Sequence, residues 1–286
     1  MARHWHMLRI ASLLGLLALA SPALAEMEPY DPNSVEVDVE LLLLVDVSRS
    51  MTPNELEIQR RGYAEALVSS EVLKAINSGM LGHVAVAYVE WAGVYSQRVV
   101  QDWAIIRTQE DADAFAAAIS AHLSPGMRRT SISSALRSGA AYFRDNGFTG
   151  LRRVIDISGD GPNNDGGPVL AARDDVIAEG ITINGLPLMT REGMGGMWTI
   201  EALDQYYTDC VVGGPGHFVV PVLDWSEFAA AVRKKLVLEI AGPVPEPEPG
   251  PMIDLVPEAR VVPAQGTSDC LVGEKIWERY RDNWEP

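Results

Sequence analysis

Leu41-Leu42-Leu43-Leu44-Val45-Asp46-Val47-Ser48-Arg49-Ser50 decides the fold of this chain. Successive side chains of a strand point to opposite faces, so an unbroken apolar run describes a strand covered on both sides. Upstream, Val35, Val37 and Val39 alternate with acids, which extends the expected strand from Val35 to Val47. Downstream, Thr52-Pro53-Asn54-Glu55 has the form of a capping box with Pro at the first helical position. The helix is expected to run to about Ile76, with Asn77-Ser78-Gly79 as its stop. A doubly buried strand that feeds a capped helix is the building unit of a parallel α/β sheet.

The same alternation continues. His83 to Trp91 and Val94 to Trp103 read as strands around Ala92-Gly93, a hairpin. Thr108 to His122 reads as a helix, and Ile132, Ala135, Leu136, Gly139, Ala140 and Phe143 recur at helical spacing before Gly147. Strands over Arg153–Ser158, Ile181–Leu188 and His217–Leu223 then alternate with helices over Leu170–Glu179, Ile200–Tyr207 and Trp225–Ile240. The pattern predicts a doubly wound α/β fold: a mostly parallel sheet with helices on both faces and one antiparallel strand from the hairpin. This body is expected to occupy residues 26–241. Residues 242–251 form a Pro-rich, extended linker. Residues 252–286 form a tail in which Ile276, Trp277, Tyr280 and Trp284 recur at helical spacing, an aromatic face that needs burial against the body or a partner.

The chain has 286 residues, 47% of them hydrophobic, enough for a packed core. Its formal net charge of −16 argues against nucleic acid and against anionic lipid as partners, since both demand clustered Lys and Arg. Residues 1–25 have the form of a secretory signal: Arg3 and Arg9, an apolar stretch from Leu8 to Ala20, then Ala23-Leu24-Ala25. The apolar stretch is shorter than the roughly 20 residues that span a bilayer. The mature chain is therefore expected to begin at Glu26, without a membrane span, in the periplasm or outside the cell. Such a compartment permits one disulfide between the two cysteines, Cys210 and Cys270; two unpaired thiols are the alternative.

The residues that carry chemistry sit at strand ends, where doubly wound sheets bind their ligands. Asp46, Ser48 and Ser50 follow the buried strand, Asp160 follows a later one within Ser158-Gly159-Asp160-Gly161, and Thr130 opens a helix between them. Two carboxylates and three hydroxyls offer only oxygen, the donor set of a hard cation such as Mg²⁺ or Mn²⁺. The same residue types also serve as N-caps and turn residues without any metal. Asp-x-Ser-x-Ser after a buried strand, a Thr at a helix start and Asp-Gly after a later strand resemble the von Willebrand factor type A domain. The resemblance covers residues 35–241. It implies a six-stranded sheet in the order 3-2-1-4-5-6, five strands parallel and one antiparallel. It also implies a metal-ion-dependent adhesion site made of Asp46, Ser48, Ser50, Thr130 and Asp160, binding a protein ligand through that ligand's Asp or Glu carboxylate. Arg152 to Asn164 further resembles a group of exported bacterial proteins of this class.

Two positions depart from that family's pattern. Gly159 stands where a Thr usually precedes the Asp, and Arg128-Arg129 stand before Thr130 in place of a Gly. These arginines are candidates to pair with acids near the site or with an anionic ligand. Asn163 and Asn164 read as turn residues, with ligand contact as the alternative, and Asp156, a charge inside an apolar strand, reads as one half of a structural pair or as a hydrogen-bonded carboxylate. A binding protein is the function expected. A metal-assisted hydrolase using Asp46 and Asp160 is the alternative, with neither a Gly-x-Ser-x-Gly elbow nor a phosphate loop in the sequence to favour it.

Overall fold

The structure is a computed structural model that describes residues 32–122, 125–190, 200–242 and 268–282. The signal segment, residues 243–251 of the linker and Trp284 lie outside the described residues. Strand β2 (Glu40–Asp46) is buried at every position. It pairs in parallel with β3 (Val84–Trp91) on one side and β6 (Arg153–Gly159) on the other. Beyond β3 lies β4 (Gln97–Ile106), antiparallel, and beyond β6 lies β7 (Ile181–Pro187), parallel. The five-stranded order is β4-β3-β2-β6-β7. A short parallel pair, β1 (Val35–Val37) with β5 (Phe148–Gly150), stands apart from it.

The alternation along β2 sorts the core into two layers. Leu41, Leu43 and Val45 share one layer with Tyr63 and Leu67 of α1 (Pro53–Leu67), Val72 of α2 (Ser70–Asn77), Phe115 of α3 (Gln109–Ser120) and Phe228 and Leu236 of α7 (Phe228–Ala241). Leu42 and Leu44 share the other with Leu136 of α4 (Ile132–Tyr142), Val176 of α5 (Val169–Ala178) and Tyr206 of α6 (Leu203–Tyr206). Burying each such side chain contributes about 1.5–3 kcal/mol, which is why the four consecutive leucines fix the sheet's centre.

The sixth strand expected over His217–Leu223 does not form as a strand. The segment lies along β7 and closes isolated parallel bridges at Gly185–Val219 and Leu188–Val222. Gly185 N donates to Phe218 O and Met189 N to Val222 O, and the rung between them belongs to Pro187, which has no N–H to give. The expected strand Val35–Val47 is divided into β1 and β2 because Asp38 turns aside to accept hydrogen bonds from Leu81 N and Gly82 N. The expected helix to Ile76 is likewise two helices. Ser69 ends the first, donating to Ala66 O, and caps the second, accepting from Val72 N. In the hairpin, β4 starts at Gln97, after a turn closed by Ala92 N donating to Ser96 O. The capping box at Thr52 and Glu55 is formed as the sequence indicates.

The tail's described part is packed on the body. Cys210 and Cys270 form a disulfide, with Cα atoms 5.5 Å apart. Ser268 N donates to Asp209 Oδ2, and α8 (Val272–Asp282) follows.

Candidate metal centre

Three loops leave the same end of the sheet and are tied to one another. The first, Val47 to Met51, continues β2. The second, Gly126 to Ser131, precedes α4. The third, Asp160 to Asp165, continues β6. Met127 N donates to Val47 O at 2.8 Å, joining the second loop to the first. Thr130 N donates to Asn164 Oδ1 at 3.0 Å, and Asn164 N donates back to Thr130 O at 2.9 Å, joining the second to the third. Ser50 Oγ donates to Asp160 Oδ1 at 2.8 Å, joining the first to the third.

Inside this triangle the predicted residues meet. Asp46 is fully buried, and its Oδ1 accepts from Ser48 N at 2.7 Å. Ser48 Oγ and Ser50 Oγ are 2.7 Å apart. Gln59 of α1 holds the main chain here, its Nε2 donating to Asp46 O at 2.8 Å. Thr130 is buried and is fixed to the group by its backbone bonds to Asn164. Asp46, Ser48, Ser50 and Asp160 are thus connected through side chains, and Thr130 through the main chain.

The electrostatics penalise two negative charges at this place. Burial pushes the Asp46 carboxyl well above the ordinary carboxylate range, and the Asp160 charge adds to it. Burial also raises Asp160 to about 6, against the hydroxyl of Ser50 and with a further push from Glu55. Among the described residues, no Lys or Arg forms an ion pair with either carboxylate, and Asp46 Oδ2 has no hydrogen-bond partner. A buried polar oxygen left without a partner is costly. The donor chemistry, two carboxylates and three hydroxyls with no soft atom, fits a hard divalent cation.

Of the two arginines before Thr130, Arg129 is held by the tail. Arg129 adopts a left-handed backbone, φ 75°, and its guanidinium lies 3.7 Å from the centroid of the Trp277 ring on α8. Asn163, read from the sequence as a turn residue, accepts from Ser133 N through Oδ1 and donates from Nδ2 to Glu274 Oε1 at 2.6 Å. The tail helix therefore rests on the second and third loops, at the rim of the site. Asn163, Asn164 and Gln59 carry the site's support. The pairing of Asn side chains after Asp-Gly-Pro was the only sequence signal among them, and it pointed to a turn.

The fold is that of a von Willebrand factor type A domain. The chain belongs to the family described as Protein of unknown function (DUF1194), whose model matches residues 36–244. Among solved structures it is similar to proximal thread matrix protein 1 (PTMP1) from the mussel byssus, with a TM-score of 0.53 and 17% identity over 73% of this chain and 49% of that one. A further structure of that protein is described with a zinc-occupied MIDAS motif, at a TM-score of 0.50. The chain is also similar to a von Willebrand factor type A protein from Catenulispora acidiphila, with a TM-score of 0.50 and 13% identity over 72% of this chain and 43% of that one. The open conformation of the pilus adhesin SpaC from Lactobacillus rhamnosus GG matches with a TM-score of 0.50 and 14% identity over 73% of this chain and 31% of that one. The chain spans about half or less of these proteins, and the likeness is one of fold. No curated protein matches the sequence.

Proposed function

We propose that the protein is an exported, metal-dependent binding module. Asp46, Ser48, Ser50, Thr130 and Asp160 hold Mg²⁺ or Mn²⁺, and the bound ion accepts an Asp or Glu carboxylate from a partner protein. One observation supports this reading: two buried carboxylates converge with hydroxyl donors where three loops are locked together, and among the described residues no Lys or Arg forms an ion pair with either. Neutral hydroxyl ligands leave a divalent ion electron-poor, which favours one more carboxylate from outside. The protein's residues do the rest. Asp46 and Asp160 balance the charge, Ser48 and Ser50 orient them, and the Asn164–Thr130 pair fixes the loop that carries Thr130. The zinc described for the byssal protein makes Zn²⁺ a third ion to compare. Export agrees with the segment of residues 1–25 and with the Cys210–Cys270 bond, which an oxidising compartment sustains.

The reading is tested by thermal unfolding with and without metal. A ligand that binds only the folded state at 100 times its Kd stabilises by about 2.7 kcal/mol. Mg²⁺ or Mn²⁺ is expected to raise the melting temperature of the wild type and to leave Asp46→Ala and Asp160→Ala unmoved. Identical responses of all three proteins to metal and to chelator contradict the metal. Metal-dependent hydrolysis of a phosphate or peptide ester, lost in Asp46→Ala, contradicts the binding role and promotes a hydrolase.

A further inference from the structure

Gly159, the last residue of β6, has no room for a side chain. A Cβ built there would lie 2.6 Å from the hydroxyl of Tyr207, 3.0 Å from Asp46 Oδ2 and 3.4 Å from Cζ2 of Trp91. Gly185 on the neighbouring strand is crowded by the same tyrosine: its Cβ would lie 2.7 Å from Cδ1 of the Tyr207 ring. Two glycines on adjacent strands therefore form a seat across β6 and β7 for the Tyr207 ring, and its hydroxyl and Asp46 Oδ2 both lie within 3.0 Å of the point a Gly159 Cβ would occupy. The backbone that delivers it is unusual. Tyr207 begins a π-helical turn, Tyr207–Val211, closed by Val212 N donating to Tyr207 O. Such turns insert one residue and re-aim a side chain, and they recur at functional sites.

Tyr207 is fully buried, and among the described residues its hydroxyl has no hydrogen-bond partner. Asp46 Oδ2 is in the same condition, as is the indole Nε1 of Trp91. Two donors and one acceptor, each costly to leave unmade, thus surround one glycine at the foot of the metal centre. Packing alone does not account for a hydroxyl here, since Phe would fill the seat without the polar atom.

We propose that Tyr207 is a positioning residue of the metal centre, its hydroxyl donating to Asp46 Oδ2, directly or through one water, so that the carboxylate is held for the cation. The assignment rests on the metal reading given above. It also explains why residue 159 is glycine: the support that a side chain there would bring arrives from the π-turn instead.

The test is Mn²⁺ titration of the full mature chain by calorimetry, with the metal-free melting temperature measured in parallel. Loss of a hydrogen bond to a metal-ligating group weakens metal affinity by about 10–100-fold. That loss is expected in Tyr207→Phe, with a metal-free melting transition that stays cooperative, because Phe fills the same seat between Gly159 and Gly185. Gly159→Ala, which displaces the hydroxyl while keeping the ring, is expected to weaken Mn²⁺ similarly. Gly159→Ser combined with Tyr207→Phe, which returns a hydroxyl from the other strand, is expected to recover part of the affinity. Wild-type affinity in Tyr207→Phe overturns the proposal. Should that variant not fold, wild-type affinity in Gly159→Ala overturns it. A wild type that binds no Mn²⁺ overturns the metal centre itself, a result distinct from either.

Discussion

Strand β6 delivers a carboxylate to each of two buried acidic pairs, and the two pairs are neutralised in different ways. Asp156, in the middle of the strand, lies with Glu239 of α7; Asp160, just past the strand's end, lies with Asp46. In the first pair the chain supplies the cation. Lys235 Nζ is 2.8 Å from Asp156 Oδ1 and bonds Glu239 Oε1, which also accepts from Asn184 Nδ2. Burial, with the Asp156 charge second, raises Glu239 to about 8, so at neutral pH it keeps its proton and one ammonium balances one carboxylate. In the second pair the neighbours are hydroxyls, and among the described residues no ammonium or guanidinium forms an ion pair with either acid. A chain that places a lysine between two acids in its core has a means of balancing such a pair internally. At the sheet's end, in the function proposed above, a metal ion from solution would supply that balance.

Removing the internal cation breaks the comparison most severely. Lys235→Met leaves the buried Asp156 carboxylate without its ion-pair partner and is expected to cost about 3–5 kcal/mol in denaturant unfolding. Mn²⁺ at saturating concentration is not expected to restore it, because the pair that lost its cation is not the one open to metal. A cost under about 1 kcal/mol would show that Lys235 is not what neutralises this pair.

A gentler change sharpens the same contrast through pH. The folded pKa of Glu239 lies above its unfolded value, so its contribution to stability is fully present below the ordinary carboxylate range and is lost as pH rises through about 8. Glu239→Gln keeps an oxygen for Asn184 and Lys235 and removes the titration. The variant's melting temperature is expected to fall less than the wild type's between pH 5 and 9, by a few degrees at the alkaline end, since about 1 kcal/mol moves a body of this size by roughly 2–4 °C. Parallel melting curves across that range would place the proton elsewhere.

Much of this was legible in the sequence, and the remainder was not for identifiable reasons. Four leucines and a valine before Asp46 disclosed the central strand because burial on both faces leaves no polar alternation. Thr52 and Glu55 disclosed a helix start because both halves of a capping box are local. Asp46, Ser48, Ser50, Thr130 and Asp160 stand out as candidates because each lies at an element boundary, in the order the fold family uses. The missing sixth strand was hidden because its cause is on another strand: Pro187 in β7, not a residue of His217–Leu223, withholds the rung. Ser69 was hidden because a serine inside a helical pattern becomes a cap only when its side chain turns to the backbone. Tyr207 gave no signal at all. Its role follows from two glycines on adjacent strands and a π-turn, none of which is periodic. Asp156 reads in the sequence as a paired or hydrogen-bonded carboxylate, and its partner, Lys235, stands 79 residues away on a helix whose spacing carries no mark of it.

The central claim is that the pair without an internal cation takes one from solution. Anomalous diffraction from crystals of the mature protein grown with Mn²⁺ tests it most directly. The account predicts one strong manganese peak enclosed by Asp46, Ser48, Ser50, Thr130 and Asp160, and none beside Asp156 and Glu239. No peak at the three loops, with the two carboxylates of Asp46 and Asp160 sharing a proton instead, would contradict it.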